Sequence, residues 1–147
     1  MTSPKLEQLN LVVRDMEATL AFYRRLGLEI PDSSVWRTAS GAHHVNLHLP
    51  NGLSLDLDSS ALAARYNSGW RETGSGGGRC VIGFSVATRE EVDARYRELT
   101  AAGHTGLQPP YDAFWGARYA IVEDPDGNPV GLMSPSDPAR RGPPPDL

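Results

Sequence analysis

Polar side chains occupy every second position in two neighbouring segments of the chain. They are His44, Asn46 and His48 in the first segment and Ser54, Asp56 and Asp58 in the second. Valine and leucine fill the positions between them, and successive residues of a β-strand point to opposite faces. Both segments therefore predict strands with one apolar and one polar face. Carboxylates and imidazoles on a shared face are typical of acid–base chemistry, cation binding or metal binding.

Asp56 is the candidate general base of this polar face. It lies near the centre of the predicted strand pair, where desolvation would raise its pKa. Asp58 lies closer to the strand end, where a solvated carboxylate is equally expected. His44 and His48 share the face but stand about 13 Å apart by strand rise, so one metal ion would reach both only across a bend. We interpret these histidines as polar residues of a cavity or of its rim.

The segment 50–52 connects the two strands and sets their register. A three-residue loop, Pro50-Asn51-Gly52, keeps the apolar residues together on one face. A two-residue Asn-Gly turn would mix the two faces. The sequence therefore predicts the longer loop.

Helices and further strands are predicted on both sides of this hairpin. Asp15 is a helix cap and Gly27 a helix terminator, and Thr88 begins a capping box. Pro109-Pro110 is expected to break the chain, and the segment 124–127 is typical of a hairpin turn. The predicted strands cover 9–13, 35–38, 82–86, 118–123 and 128–133, and the predicted helices cover 15–26, 60–66 and 88–102.

The first strand and helix recur later in the chain. Leu11 aligns with Phe84 at an offset of 73 (84 − 11). At the same offset, without a gap, Tyr23-Arg24-x-Leu26 aligns with Tyr96-Arg97-x-Leu99. This pattern indicates an internal duplication. Neither half could close a core alone, so two related modules are expected to share one curved surface.

Composition narrows the possible function classes. The net charge of −4, with no basic run, argues against nucleic-acid binding. No apolar stretch reaches membrane-spanning length. The single cysteine, Cys80, excludes an internal disulfide and is expected to be a small buried hydrophobe. The N-terminal segment lacks the apolar region of a signal peptide, so a cytoplasmic protein is expected.

The segment 111–119 is the most aromatic part of the chain. Trp115 and Tyr119 would stack on a planar ligand, and Arg118 would pair with a ligand carboxylate or with Asp56. The equally supported alternative is a loop anchored by buried aromatic residues, with Arg118 in a structural ion pair. Trp36 is a further candidate for a cavity wall.

Two segments resemble the vicinal-oxygen-chelate superfamily, which includes glyoxalase I, extradiol dioxygenases and bleomycin-resistance proteins. They are Leu11-Val12-Val13-Arg14-Asp15 leading into Ala21-Phe22-Tyr23-Arg24-Arg25-Leu26-Gly27-Leu28, and Tyr119-Ala120-Ile121-Val122-Glu123-Asp124-Pro125-Asp126-Gly127-Asn128. The resemblance implies an α+β fold of paired βαβββ modules. Their mixed sheet would curve around a concave cavity, with the helices on the convex face.

The resemblance covers about residues 6–134 and implies a single glyoxalase-like domain at 1–134. Module one would span about 6–66, a linker 67–79 and module two about 80–134. The Pro-rich tail at 135–147 is expected to be extended or disordered. The residues expected to bind a ligand in the cavity are Gln8, Asn10, Trp36, His44, Asn46, His48, Asp56, Trp115, Arg118 and Tyr119.

Metal-dependent members of the superfamily place ligands on the first and last strands of each module. The resemblance puts these positions at Gln8 and Asp56 in module one and at Val81 and Gly131 in module two. Gln8 and Asp56 can bind an ion through oxygen, whereas Val81 and Gly131 have no ligand atom. With half of the set missing, no metal or other cofactor is expected, and Gln8 and Asp56 are weak metal candidates.

The resemblance thus favours a metal-independent small-molecule binding protein of the bleomycin-resistance type, for a planar aromatic or cationic ligand such as an antibiotic. The alternative is an enzyme of the lyase, isomerase or dioxygenase type. It would use remodelled divalent-metal ligands or a metal-free Asp or His base. The expected partners are the small molecule and a second copy in a homodimer, with no nucleic acid and no membrane.

Overall fold

The computed structural model describes residues 4, 6–68, 70–72, 74 and 80–146. The chain divides into two compact units, Met1–Gly74 and Ser75–Leu147, here called the first and second unit. Much of the predicted linker at 67–79 falls on residues 69, 73 and 75–79, which lie outside the described residues.

The first unit contains a mixed four-stranded sheet with the strand order β1-β4-β3-β2. β1 and β4 are parallel, whereas β3 is antiparallel to both β4 and β2. A short 3-10 helix, Asp32–Ser34, precedes β2. The elements are β1 Gln8–Val13, α1 Met16–Leu26, β2 Trp36–Thr38, β3 Gly41–His48, β4 Ser54–Ser59 and α2 Ser60–Tyr66.

The second unit repeats this arrangement with the strand order β5-β8-β7-β6. Its elements are β5 Ile82–Ser85, α3 Arg89–Ala101, β6 Gly106–Asp112, β7 Arg118–Glu123 and β8 Pro129–Met133, followed by a 3-10 helix at Pro138–Arg140. Each unit is therefore a βαβββ module, and the predicted α+β class is confirmed.

The sheet register confirms the internal duplication. Asn10 on β1 pairs with Asp56 on β4, and Gly83 on β5 pairs with Gly131 on β8. The offset is 73 in the first strand of the modules (83 − 10) and 75 in the last strand (131 − 56). The repeat thus extends from sequence similarity to the pairing of the strands.

The core of the first unit lies between α1 and the apolar face of its sheet. Asp15 caps α1 by accepting a hydrogen bond from the Ala18 backbone N–H at 3.0 Å, and Gly27 ends the helix with φ of 111°. α1 packs on β3 and β4. The buried residues include Leu20, Phe22 and Tyr23 on the helix and Val45, Leu47, Leu55 and Leu57 on the strands. Packing on this face fixes which side of the hairpin stays polar.

The hairpin between β3 and β4 has the predicted three-residue loop. The Leu49 N–H donates to the Leu53 carbonyl at 2.9 Å, so residues 50–52 form the loop. Gly52 has φ of 86°, a conformation that glycine adopts without steric cost. The second predicted turn is also present, because the Gly127 N–H donates to the Asp124 carbonyl at 3.0 Å.

Pro109-Pro110 does not break the chain, contrary to the sequence prediction. Both prolines lie within β6, which is an edge strand of the second sheet. The pairing of β6 with β7 is irregular between Gln108 and Tyr111. An edge strand with a bulge tolerates proline because the missing N–H is not needed by a neighbouring strand.

Two expectations for segments outside the regular elements are also wrong. Cys80 is exposed rather than buried, because β5 begins only at Ile82. The Pro-rich tail is neither simply extended nor disordered, since it forms a 3-10 helix and donates hydrogen bonds to the loop around Gly116. In the described part of the chain, no helix combines the length and apolar character that crossing a membrane requires.

Candidate functional site

The polar face of the first unit is assembled from three strands. β4 lies between β1 and β3, so Asp56 has Asn10 on one side and Asn46 on the other. A cavity of about 330 Å³ opens on this face. It is lined by Gln8, Asn10, Trp36, His44, Asp56, Asp58, Leu62 and Tyr66. Five of the residues expected from the sequence to bind a ligand therefore line one cavity.

Asp58 is the centre of the hydrogen-bond network on this face. Its Oδ2 accepts from Asn10 Nδ2 at 2.8 Å and from the Tyr66 hydroxyl at 2.9 Å. Its Oδ1 lies 2.6 Å from His44 Nδ1. Only 1% of Asp58 is exposed, so the solvated strand-end carboxylate allowed by the sequence is not found. Burial alone would raise the pKa of Asp58, but these hydrogen bonds outweigh it and hold the pKa below its usual range.

Asp56 is also buried, but fewer hydrogen bonds offset the cost of burying its charge. Only 5% of it is exposed, and Asn46 Nδ2 donates to its Oδ1 at 2.6 Å. Burial raises the pKa of this carboxyl, and repulsion from Asp58 adds to the effect, partly offset by His44, Asn46 and His48. Two carboxylates on one strand face thus have pKa values displaced in opposite directions.

His44 is oriented by the Asp58 carboxylate. A carboxylate accepts hydrogen bonds, so Nδ1 of His44 carries the proton in this contact. In the neutral ring, Nε2 is then left as a hydrogen-bond acceptor. This pairing resembles the carboxylate–imidazole arrangement by which many enzymes hold a histidine base in one tautomer.

The other predicted residues of the first unit are less closely tied to this network. Gln8 Nε2 donates to Asn10 Oδ1 at 2.6 Å. Trp36 is 51% exposed, and its ring stands 5.2 Å from that of His43. His48 contacts Ser54 Oγ through Nδ1 at 3.1 Å and lines a different cavity, of about 520 Å³, together with Asn46.

Tyr66 and Leu62 were not predicted from the sequence as site residues. Both lie on α2, which follows β4 directly and packs on β1, β3 and β4. Partial desolvation of its hydroxyl, together with the hydrogen bond to Asp58, raises the pKa of Tyr66 to about 12. Residues four positions apart share one face of a helix, so the spacing of Leu62 and Tyr66 was a usable signal.

The corresponding face of the second unit is apolar. The register matches the first-unit positions Gln8, Asn10, His44, Asn46, Asp56 and Asp58 to Val81, Gly83, Tyr119, Ile121, Gly131 and Met133. A cavity of about 310 Å³ opens here. It is lined by Val81, Gly83, Phe84, Ser85, Trp115, Tyr119 and Met133.

Trp115 and Tyr119 belong to an aromatic cluster beside this second cavity. Their ring centroids are 5.5 Å apart in an edge-to-face arrangement, and Tyr111 lies 6.3 Å from Trp115 and 6.2 Å from Tyr119. The ring centroids of Phe114 and Trp115 are 5.2 Å apart. Burial and the neighbouring Tyr111 raise the pKa of Tyr119. The cluster presents ring edges and faces suited to packing against a planar molecule.

Arg118 is held by two carboxylates of its own unit. Its Nε donates to Asp93 on α3 at 2.8 Å, and its Nη1 donates to Asp112 on β6 at 2.9 Å. These carboxylates raise the pKa of the guanidinium, with Asp93 contributing most. Tyr119, the next residue on β7, points to the opposite face of the strand and lines the cavity. The structure therefore favours the structural ion pair.

Arg118→Ala is expected to lower the free energy of unfolding by about 1 kcal/mol, because it removes a partly exposed ion-pair network. The affinity of either cavity for a ligand should stay within twofold of the wild type, roughly the effect of an uninvolved surface residue. Urea unfolding and a ligand titration on the same preparation measure both effects. Stability that is unchanged while affinity falls would show that Arg118 contacts the ligand.

The positions at which metal-dependent relatives place ligands do not form a ligand set in this chain. Within the described residues, no group of three or more His, Cys, Asp or Glu side chains could hold one ion. In the second unit, a Cβ built on Gly131 would stand 2.7 Å from Tyr119 Oη. Tyr119 thus fills the space in which a ligand side chain at that position would stand. The residues present do not fit a site with four ligands.

Solved structures similar to this chain come from several bacteria. A glyoxalase/bleomycin resistance protein/dioxygenase family enzyme from Burkholderia phytofirmans PsJN has 23% identity and a TM-score of 0.72, over 89% of this chain and 98% of that one. A glyoxalase/bleomycin resistance protein/dioxygenase from Nocardioides has 24% identity and a TM-score of 0.68, over 100% and 91%. A glyoxalase-related enzyme from Fulvimarina pelagi has 21% identity and a TM-score of 0.68, over 89% and 88%. At these identities, the similarity shows the fold alone.

The sequence comparison reaches beyond the fold. No curated protein matches the chain significantly. One family model does match it, over residues 5–132, and that range covers both βαβββ modules except Met133, the last residue of β8. The chain therefore belongs to the Glyoxalase/Bleomycin resistance protein/Dioxygenase superfamily.

Proposed function

We propose that this protein is a metal-independent small-molecule binding protein of the bleomycin-resistance type, whose ligand is planar and carries a positive charge. The observation that carries this proposal is the environment of Asp56. This carboxyl is buried beneath the 330 Å³ cavity, and burial raises its pKa. A buried carboxylate without full compensation is stabilised when a cationic group of a ligand comes to lie against it.

The hydrogen bonds that the two carboxylates accept support Asp56 rather than Asp58 as the group that binds the ligand cation. Asp58 accepts bonds from Asn10, His44 and Tyr66, which occupy both of its oxygens. Among the described residues, the one side-chain donor recorded for Asp56 is Asn46, on Oδ1. Oδ2 of Asp56 is therefore the acceptor that we place against a ligand N–H group.

Aromatic side chains near both cavities support a planar ligand. Trp36 and Tyr66 are more than half exposed and border the polar cavity. Trp115 and Tyr119 line the apolar cavity of the second unit. Such side chains bind flat rings by stacking and bind cations through their ring faces.

A titration with matched charged compounds tests this proposal. Arylmethylamines, which combine a planar ring with an ammonium group that is charged at pH 7, are compared with their neutral isosteres and their carboxylate isosteres. Each compound is added to protein treated with a chelator, and tryptophan fluorescence reports binding. The amines should bind at least about tenfold more tightly than the carboxylates, as one charge-assisted hydrogen bond would give. Equal affinity across the charge series, or stoichiometric divalent metal bound through Asp56, would refute the proposal.

A second candidate function is metal-free catalysis of the lyase or isomerase type, which the His44–Asp58 pair favours. At 2.6 Å the carboxylate holds the imidazole in one tautomer, as a histidine that takes up a substrate proton requires. Turnover or solvent-proton exchange of a bound substrate that survives chelation and is lost in His44→Gln would support it. Binding without any such reaction would leave the binding function alone.

We also propose that the protein works as a homodimer in the cytoplasm. The resemblance to dimeric members of the superfamily supports the first point, and the single exposed Cys80 is consistent with a reducing compartment. Light scattering coupled to gel filtration would measure the assembly, and a monomer at all concentrations would contradict the dimer.

A further inference from the structure

The C-terminal segment Ser134–Gly142, here called the strap, crosses the loop that joins β6 to β7. It donates hydrogen bonds to the carbonyls of three consecutive loop residues. These are Gly142 N–H to the Phe114 carbonyl at 2.8 Å, the Ser136 hydroxyl to the Trp115 carbonyl, and Asp137 N–H to the Gly116 carbonyl at 3.1 Å. The loop's own backbone bonds join only Ala113 to Ala117 and Gly116 to Ala113. Much of the loop's hydrogen bonding therefore comes from the strap.

Gly116 shows how closely the strap and the loop approach each other. The residue is buried with φ of 93°, and a Cβ built on it would lie 2.3 Å from the Asp137 carbonyl oxygen. Any side chain at this position would push the strap backbone away. The Gly116 carbonyl also accepts a bond from Arg89 Nη1 at 3.3 Å, which ties the same point to α3.

The strap is fixed at its start and braced internally by a short 3-10 helix. At its start, Ser134 N–H donates to the Arg118 carbonyl at 3.0 Å, and Ser134 Oγ accepts from Arg118 N–H at 2.9 Å. Further along, Asp137 caps the short 3-10 helix by accepting from Ala139 N–H at 2.9 Å. Ser134 is buried. A segment held in this way restrains the loop beneath it.

The restrained loop carries Trp115. This side chain contacts Tyr111, Phe114 and Tyr119 and forms part of the wall of the 310 Å³ cavity. The Trp115 backbone carbonyl is itself one of the three groups that the strap binds. A movement of the strap would therefore also move Trp115, which forms part of the cavity wall.

We infer that the strap is a positioning element for Trp115, and that it sets the affinity of the apolar cavity for neutral planar rings. The affinity part rests on the proposed function, whereas the restraint on Trp115 stands on the hydrogen bonds alone. The strap acts through Trp115 and does not itself contact the ligand.

Two variants that disturb the contact between the strap and the loop, here called the strap variants, and one matched control test the restraint. Gly116→Ala inserts a methyl group against Asp137, and Ser136→Ala removes the hydroxyl that binds the Trp115 carbonyl. Gly103→Ala is the control, because Gly103 also has a positive φ, of 96°, but a Cβ there has nothing within 4 Å. All are made in the full chain with Trp36→Phe and Trp70→Phe, so that only Trp115 emits.

Acrylamide quenching of Trp115 is the first readout and needs no ligand. Both strap variants should raise the quenching constant about twofold through local loosening of the loop, and Gly103→Ala should not. Ser136→Ala alters only an exposed side chain, so its result stands even if Gly116→Ala fails to fold. Quenching that is unchanged in Ser136→Ala would overturn the inference.

Binding of the neutral dye N-phenyl-1-naphthylamine is the second readout. Its dissociation constant should rise about fivefold in the strap variants, as expected when one aromatic contact is misplaced. Increased quenching with unchanged dye affinity would overturn the affinity part. If the parent protein binds no dye, the proposed use of the apolar cavity fails, and quenching alone decides whether the strap restrains Trp115.

Discussion

Replacing Asp58 with asparagine is expected to lower the free energy of unfolding at pH 7 by about 3 kcal/mol, which is typical of breaking a buried hydrogen-bonded charge pair. The amide presents one oxygen in place of two and turns an N–H₂ group towards donors. Asn10, His44 and Tyr66 cannot then all keep their bonds to this position. For a chain of this length, the melting temperature should fall by roughly 10 °C.

The effect of this variant should depend on pH in a defined direction. The native pKa of Asp58 lies below the reference value of 3.8, so the stability that it contributes is present above pH 3.8. It is lost as the pH falls through the native pKa. Urea unfolding at pH 7 and at pH 2.5 should therefore show a large difference between wild type and Asp58→Asn at pH 7 and a smaller one in acid. A constant difference across this range would contradict the proposed network.

Asp56→Asn is expected to have the opposite effect on stability and a large effect on binding. Because burial raises the pKa of Asp56, the ionised form costs the native state free energy. The amide carries no charge, and its oxygen can still accept from Asn46. We therefore expect the variant to be at least as stable as the wild type at pH 7, and to bind an arylmethylamine, whose ammonium group is charged at that pH, about tenfold or more weakly.

The pH dependence of this second variant is also defined. Below pH 3.8 Asp56 is protonated in both the folded and unfolded states, so wild type and Asp56→Asn should have similar stability. The advantage of the variant grows as the pH rises above 3.8 and is complete above the raised native pKa. Thermal unfolding at pH 3 and at pH 7, beside the amine titration, measures both properties. A loss of stability equal to that of Asp58→Asn would show that the two carboxylates are not distinct.

The two positions serve as controls for each other. Asp56 and Asp58 lie two residues apart on β4 and share one face of the strand. Each substitution replaces one negatively charged carboxylate with a neutral amide. The double variant should also reveal their coupling, because Asp58 is one of the groups that raise the pKa of Asp56. With Asp58 neutralised, the stabilising effect of Asp56→Asn should become smaller.

Most of the fold could be predicted from local pattern. The alternation of leucine with polar residues defined both faces of the β3–β4 hairpin and required its three-residue loop. Asp15 and Gly27 marked the ends of α1, and the ungapped repeat predicted a second module. The failures, at Cys80, Pro109-Pro110 and the tail, occur where irregular or edge structure replaces periodicity.

The candidate site was only half determined by sequence. Alternation shows which residues share a face, and it brought Asn10, His44 and Asp56 together in advance. It does not show which partner each side chain chooses. Tyr66 reaches Asp58 because α2 folds back over the strands, and Arg118 meets Asp93 because α3 packs beneath β7.

The sequence by itself therefore determined the repeated strand–helix unit and the polar face of the β3–β4 hairpin. These features follow from the period of a strand and from residues that cap or end a helix, which are properties of neighbouring positions. The tertiary structure alone decided that Asp58 accepts three side-chain hydrogen bonds, whereas Asp56 accepts one and has a raised pKa. It also decided that the C-terminal strap binds the loop that carries Trp115. Those outcomes depend on contacts between residues far apart in the chain, such as Asn10 with Asp58, whose geometry is fixed only when the elements pack.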